Sequence, residues 1–429
     1  MCMLLGKWSL WSRPPLRPLC TTHLNIFLST HLLAIMTAFN DAVLPPTQSV
    51  LLLHQVRQRY RIHTTYPVPQ PNATEFLMRT EVVGLNPIDW KAPDYGFGIP
   101  ELPYVAGRDA YCRVVTLPRL TSRLKLNDKV AFVSTDYRDL RKATYQQYVV
   151  GTETNVIRIP PHISPLAAAS FGVAAVTATL ALGVCLGTSF TSIADGPDLL
   201  AVLQTLDESC FAHDIKDECL HGISRHERAE PGDWVAIWGG SSTCAFLMNQ
   251  LARLAGLKTI LVLDTAKHGR LLASEPAYRA DFVVDSQDPN RAVDIVRSLT
   301  NESLRFGIDC IGKTTAAYLS QCFASSSVDK VADSVIQPPG GHLVGLTGVP
   351  KDNGDLCSHS VPVKIFHEIE VVGSSVVLWL ERLLEQRLIT LPKVLGVVDG
   401  LEGINDGLDK MRRGEISCGR LVANLHIEE

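Results

Sequence analysis

From Asp233 onward, short apolar runs alternate with segments of helical periodicity, which restricts the second half of this chain to one kind of architecture. Asp233–Trp238, Thr259–Leu263, Phe282–Val284, Phe306–Ile311 and His342–Leu346 read as strands. Ala245–Ala255, which stops at Gly256, and Ala292–Leu299 read as helices. Strands separated by helices at this spacing make βαβ units, and so a parallel, doubly wound α/β sheet.

The first half has another rhythm. Ser49–Leu53, Tyr60–Thr64, Glu75–Val83, Val130–Val133 and Tyr145–Val150 are short strand-like runs with Pro and Asn clusters between them, as in a compact β-barrel. Ser164 suits an N-cap and Pro165 the first helical position, so a helix of small residues is predicted to run to Leu182. Residues 187–231 are more polar, carry Gly196-Pro197, and are expected to form an insertion with one short helix. The predicted organisation is an N-terminal extension over 1–47, disordered or outside the mature fold, then a barrel domain over 48–163. A dinucleotide-binding domain over 164–349 follows, with its insertion, and 350–429 completes the barrel domain.

A length of 429 residues accommodates two such domains, and 40 Lys+Arg against 44 Asp+Glu leaves no basic excess for nucleic acid. No apolar run reaches the roughly 18 residues that a membrane-spanning helix needs. The 11 cysteines include no pair at C-x-x-C spacing, so neither a zinc ribbon nor a disulfide scaffold is indicated, and reduced cytoplasmic thiols are expected. Residues 1–35 contain Lys7, Arg13 and Arg17 and no acid. They read as a targeting presequence or as translated upstream sequence with Met36 the working start, and Pro14, Pro15 and Pro18 favour the second.

Between the first parallel strand and its helix lies Gly239-Gly240-Ser241-Ser242-Thr243-Cys244-Ala245. Residues without bulk allow a tight turn, the helix N-terminus offers N–H groups to an anion, and Ser241, Ser242 and Thr243 add hydroxyls for a pyrophosphate. It is not G-x-G-x-x-G, and a ligand-free N-cap explains it equally well. Asp264 ends the second strand where such folds address the adenosine ribose. A free acid there favours NAD, while Lys267, His268 and Arg270 suit a 2′-phosphate; Asp264 also suits a helix cap.

Several segments together resemble the medium-chain dehydrogenase/reductase superfamily: Gly84-Leu85-Asn86-Pro87-Ile88-Asp89-Trp90-Lys91, Gly107-Arg108-Asp109, Asn127-Asp128-Lys129-Val130, the Gly239–Ala245 turn, and the tail with Arg420-Leu421-Val422. Ser134–Asp139, Gly196–Leu200 and Glu230–Trp234 resemble the fungal trans-acting enoyl reductases of polyketide biosynthesis, of the lovastatin type. The resemblance implies a GroES-like β-barrel catalytic domain beside a Rossmann domain, and an NADPH-dependent enoyl reductase acting on acyl chains held by the acyl carrier protein of a partner polyketide synthase. It also implies a possible monomer. Where the zinc-dependent members carry a ligating His, this chain has Arg108, which cannot bind a metal, so zinc-assisted chemistry is not expected.

By the same resemblance Lys91 and Thr177 are the candidate catalytic residues. Ile88, Asp89, Trp90, Lys91, Ser241, Ser242, Thr243, Cys244, Asp264, Thr265, Ala266, Lys267, Leu346, Thr347, Cys418 and Gly419 are the candidate cofactor contacts. Thr177, Ala178, Leu180 and Ala181, with Val371, Val372, Gly373, Ser374 and Ser375, are the candidate substrate wall. Tyr137 and Tyr145 are phenols that read as proton donors or as packed barrel aromatics. Two other functions stay open: a zinc-independent quinone or enone reductase for free small molecules, and a catalytically silent cofactor-binding scaffold.

Overall fold

Strands β9 (Trp234–Trp238), β10 (Lys258–Leu263), β11 (Phe282–Asp285), β12 (Phe306–Asp309), β13 (His342–Gly345) and β14 (Cys357–His359) form one sheet in the order β11-β10-β9-β12-β13-β14. Every pairing in it is parallel. Counted from β9, that order is 3-2-1-4-5-6, the arrangement of dinucleotide-binding sheets. The computed structural model describes residues 44–118, 122–323 and 340–425. The readings placed on residues 1–35 and Met36 lie outside these.

The first five strands match the sequence reading within a few residues, because a parallel sheet covered on both faces requires continuous apolar runs. Val235–Trp238 in β9, for instance, is buried throughout. The sixth strand was not expected: Cys357-Ser358-His359 is a polar edge strand without an apolar signature.

The barrel half comprises β1 (Thr47–Leu53), β2 (Arg61–Pro67), β3 (Phe76–Gly84), β4 (Tyr104–Val105), β5 (Asp109–Thr116), β6 (Lys129–Val133), β7 (Tyr148–Gly151) and β8 (Val156–Arg158). Near the C-terminus β15 (Val394–Asp399) and β16 (Arg420–Asn424) join it. One sheet runs β2-β1-β4; the other runs β15-β16-β3-β5-β6-β8, with β7 also on β3. In the second, β16 pairs antiparallel with β3 and sets Val422 opposite Gly84. The stretch beyond 349 therefore serves both sheets, through β14 in one and β15–β16 in the other.

The single small-residue helix expected from Ser164 to Leu182 is broken. Pro165–Ala168 is one short helix, Gly172–Leu180 a second, and Ala181–Cys185 a π-type turn. The break has a physical cause in Asp109. The Val173 amide, in the first turn of the restarted helix, donates to Asp109 Oδ1 at 2.6 Å. A Cβ on Gly172 would lie 2.7 Å from that same oxygen, so only glycine lets the backbone come so close.

The insertion holds two short helices rather than one, Leu199–Leu203 and Lys216–His221. Asp198 caps the first by accepting from the Ala201 amide at 3.0 Å. The helix Glu370–Glu385 fastens the insertion down: Trp379 stacks on Phe190 with 4.4 Å between ring centres and donates Nε1–H to the Ile193 carbonyl. Its buried Glu381 accepts from the Arg158 amide and guanidinium and from Arg123. No helix among the described residues is long and apolar enough to cross a membrane.

Candidate active site

The strand order of the parallel sheet reverses between β9 and β12, and a crevice opens at their carboxyl ends at such a point. The Gly239-Gly240 turn lies there. Gly239 has φ +85°, and a Cβ on it would sit 2.7 Å from Ile311 in the loop after β12. A Cβ on Gly240 would lie 2.9 Å from Leu263 and 3.0 Å from Leu261. Both positions thus exclude side chains, so the backbone itself faces the crevice. Ser242 is the N-cap of the helix Thr243–Leu254, accepting from the Ala245 amide at 3.1 Å, and the other first-turn N–H groups have no intrahelical partner. This turn fits a dinucleotide pyrophosphate.

Other predicted cofactor residues converge on the same edge. The Cys418 amide donates to the Ser241 carbonyl at 2.8 Å, and Gly419 packs so tightly on the Lys393 carbonyl that a Cβ would approach to 2.5 Å. Leu346 N–H donates to Asp309 O, and Thr347 Oγ1 donates to Ile311 O at 2.8 Å, stitching the ends of β12 and β13 together. Asp264 caps the helix Thr265–Ser274. One of its oxygens accepts from the Lys267 amide at 2.9 Å and the other from Gln287 Nε2 at 2.7 Å. Thr265 is held by Asp285, Ala266 is exposed, and His268 is buried against Ser417. Among the described residues the Lys267 ammonium donates to the Gly414 carbonyl, at 3.4 Å, and Arg270 is exposed.

The barrel contributes through one buried knot. Asn86 Nδ2 donates to Asp109 Oδ2 at 3.0 Å, and Arg420 Nη1 donates to Asn86 Oδ1 at 2.7 Å and to the Leu85 carbonyl at 2.9 Å. Arg420 Nη2 lies 4.0 Å from Asp109 Oδ2. Burial pushes the Asp109 carboxyl up, while Arg420, Asn86 and the Val173 amide pull it down. Asn86 also starts the helix Pro87–Tyr95 that carries Lys91, and Val173 lies one turn before Thr177 on its own helix. Both candidate catalytic residues therefore hang from the same knot at the joint between barrel and sheet.

Lys91 is half-buried, with its ammonium 5.8 Å from the Trp90 ring centre and no ion pair among the described residues. Ile88 and Trp90 are half-buried on the same helix. Thr177, Ala178, Leu180 and Ala181 are buried. Val371–Ser375 lie in the first turns of the Glu370–Glu385 helix: Val371 is exposed, Val372 joins the apolar core that also holds Ala178, Leu180 and Ala181, and Gly373 presses on Thr154. Ser374 is half-buried, and Ser375 Oγ returns to the Val371 carbonyl.

Asp89 is fully buried. It accepts from the Asn86 amide at 2.8 Å and the Tyr145 hydroxyl at 2.9 Å, which makes Tyr145 a packed barrel phenol. Burial raises its carboxyl from 3.8 to about 6, against the lowering effects of the Asn86 amide, Arg108 and Tyr145. The folded state then holds this proton more tightly than the unfolded chain, so its contribution to stability falls as pH rises from about 4 to about 6. Asp89→Asn keeps an acceptor for both partners. It should match the native chain near pH 4 and exceed it by up to about 3 kcal/mol at pH 7. Urea unfolding across pH 4–8 checks this; an offset constant with pH contradicts it.

A second group joins the Ser134–Asp139 segment and Tyr137, both singled out in the sequence, to residues that it did not offer, Gly98–Pro100, Lys364 and His367. Gly98–Pro100, Thr135–Arg138, Lys364 and His367 line a cleft of about 310 Å³. Arg108 is buried beneath it, 3.9 Å from the Tyr137 ring centre, and donates to the Tyr104 hydroxyl and to Ser134 Oγ. A guanidinium spent on these contacts offers no lone pair to a metal. Thr135 Oγ1 lies 2.8 Å from His367 Nδ1, a pairing across 232 residues that no local pattern announces. Burial lowers the His367 imidazole below its ordinary value.

No protein-family model matches the chain. It is similar to a trans-enoyl reductase of Penicillium citrinum, 24% identical over 88% of this chain and 98% of that one. A trans-enoyl reductase of Pyricularia oryzae is 25% identical over 89% and 99%. Among solved structures, the quinone oxidoreductase of Pseudomonas syringae matches with a TM-score of 0.64, 14% identity, and 88% and 100% coverage. The Escherichia coli quinone oxidoreductase complexed with NADPH gives 0.65 at 13% identity, covering 88% and 99%, and the CurK enoyl reductase gives 0.63 at 13%, with the same coverage.

Proposed function

We propose, from the premise that this chain has the medium-chain dehydrogenase/reductase fold and resembles fungal trans-enoyl reductases over nearly its whole length, that it is an NADPH-dependent enoyl reductase acting in trans. Its substrate is an α,β-unsaturated thioester on the acyl carrier protein of a partner polyketide synthase. The observation that carries the reading is the extent of the similarity, 86–90% of this chain and 95–99% of each relative. A shared cofactor fold alone would not require it.

When bound, NADPH supplies a hydride to the β carbon, and negative charge develops on the thioester oxygen as an enolate. The chain has to hold the dinucleotide, stabilise that oxygen and keep water out. Gly239 to Cys244 fit the pyrophosphate, as their excluded side chains and helix N-terminus argue. Lys91 is the cation near the joint, serving the enolate oxygen or the cofactor, and Thr177 is the hydroxyl on the Gly172–Leu180 helix. Chemistry of this kind needs no Lewis acid, in keeping with Arg108 at the family's ligand position.

The cap made by Asp264 supports NADPH over NADH. With both carboxylate oxygens committed to the cap and to Gln287, the acid that would select a free ribose is occupied, while Lys267 and Arg270 remain for a phosphate. The double variant Lys267→Ala with Arg270→Ala should cut the NADPH-over-NADH ratio of kcat/KM by roughly 10–100-fold, the worth of about one charge-assisted hydrogen bond. An unchanged ratio contradicts the assignment. The proposed location is the cytosol, supported by every described cysteine being a free thiol.

The test compares substrates. With NADPH, the protein should reduce an enoyl chain on a synthase carrier domain far faster than free enones or quinones of the same length. Faster turnover of the free molecules supports the quinone or enone reductase reading instead.

A further inference from the structure

Away from the crevice, three potential metal ligands from distant parts of the sequence meet. Cys185 closes the π-type turn after the Gly172–Leu180 helix, Glu218 lies on the insertion helix Lys216–His221, and His359 ends β14. Their ligand atoms all lie within 4.8 Å of one another. Cys185 and His359 are buried, and the Glu218 side chain is 15% exposed. Glu218 Oε1 lies 2.9 Å from His359 Nδ1, while Oε2 accepts from the Ser360 amide at 3.2 Å. On the other side of the ring, His359 Nε2 lies 2.9 Å from Nδ1 of the fully buried His342.

We infer that Cys185, Glu218 and His359 form a site for a divalent zinc-like cation that pins the insertion to the edge of the parallel sheet. The donor set is one sulfur, one carboxylate oxygen and one imidazole nitrogen, which suits zinc with its fourth position open. Bonds of about 2.0–2.3 Å put tetrahedral ligands roughly 3.3–3.8 Å apart, so small side-chain shifts close the present spacing. The fourth position has room for water: Glu218 and His359 line a cavity of about 440 Å³ with Asp214, Gly345, Gly348 and Ser360. His342 stands where an outer partner of a metal-bound imidazole belongs, fixing the tautomer that leaves Nδ1 free to ligate. π-type turns also recur at functional sites, and this one ends on the sulfur.

Metal binding would take Cys185 as thiolate, its proton passing to solvent, His359 as the neutral ring with Nε2–H directed at His342, and Glu218 as carboxylate. This site differs in place and residues from the Arg108 position, and it does not depend on the enoyl reductase reading.

The experiment is cobalt(II) titration of the chelator-treated full chain under a phosphine reductant, followed by optical spectroscopy. The expected result is saturation at one equivalent, with strong tetrahedral d–d bands and a thiolate-to-cobalt charge-transfer band. Cys185→Ser should abolish the charge-transfer band, and His359→Gln should weaken binding at least tenfold, with unchanged circular dichroism. A weak octahedral spectrum, or a charge-transfer band that survives Cys185→Ser, overturns the inference. Should a variant fail to fold, zinc-edge X-ray absorption of the native chain decides: a shell with one sulfur supports the site, and one of only oxygen and nitrogen refutes it.

Discussion

Arg420→Met should lower the stability of the chain by about 3–5 kcal/mol, because it removes one member of a buried charged network and leaves the others behind. Asp109 and Arg420 are both nearly inaccessible, and Asn86 Oδ1 and the Leu85 carbonyl accept from the same guanidinium. Methionine fills most of the volume but satisfies neither oxygen and leaves the Asp109 charge without its cation. The loss should shrink in an Asp109→Asn background, where the uncompensated charge is gone and the one amide oxygen still accepts from the Val173 N–H. Denaturant unfolding of the four proteins of this cycle measures the coupling, and additive effects contradict the account. Dinucleotide affinity should fall alongside stability, since β16 begins two residues after the Cys418 amide that holds the Ser241 carbonyl.

Lys91→Ala should lower kcat/KM for the enoyl thioester by roughly 10²–10³-fold, the usual consequence of removing one preorganised donor from a developing oxyanion. The side chain makes no ion pair among the described residues, so little stability should be lost with it. The two possible roles separate in the kinetics. If Lys91 serves the enolate, kcat falls and the Kd for NADPH holds; if it anchors the cofactor, Kd rises. A scaffold that only carries NADPH would keep all its function in the variant, and that outcome removes Lys91 from the reaction.

The parallel sheet was legible because its central strands are buried on both faces and so must be apolar throughout. Its edge was not: β14 reads as polar, and only the His342–His359–Glu218 contacts reveal why two histidines stand at adjacent strands. The Gly239-Gly240 turn was found from its lack of bulk, and the structure supplies the reason in Ile311, Leu261 and Leu263. The broken helix at Ser170–Phe171 was invisible because small residues with high helix propensity suggest continuity, whereas the deciding partner, Asp109, lies 64 residues away from Val173. The sequence left Asp264 between a ribose contact and a cap, and geometry puts it in the cap. Thr135 with His367, and Arg108 with Tyr104 and Tyr137, are long-range or stacked pairs whose partners only the fold brings together.

The central claim is that this chain carries hydride to the β carbon of a carrier-bound enoyl thioester. NADPH deuterated at the transferable position, incubated with the protein and an α,β-unsaturated acyl chain on a carrier domain in ordinary water, tests it directly. Mass spectrometry and NMR of the released acyl group should locate one deuterium at the β carbon and a solvent proton at the α carbon. Deuterium found on a carbinol carbon, or a saturated product with no label, would contradict it.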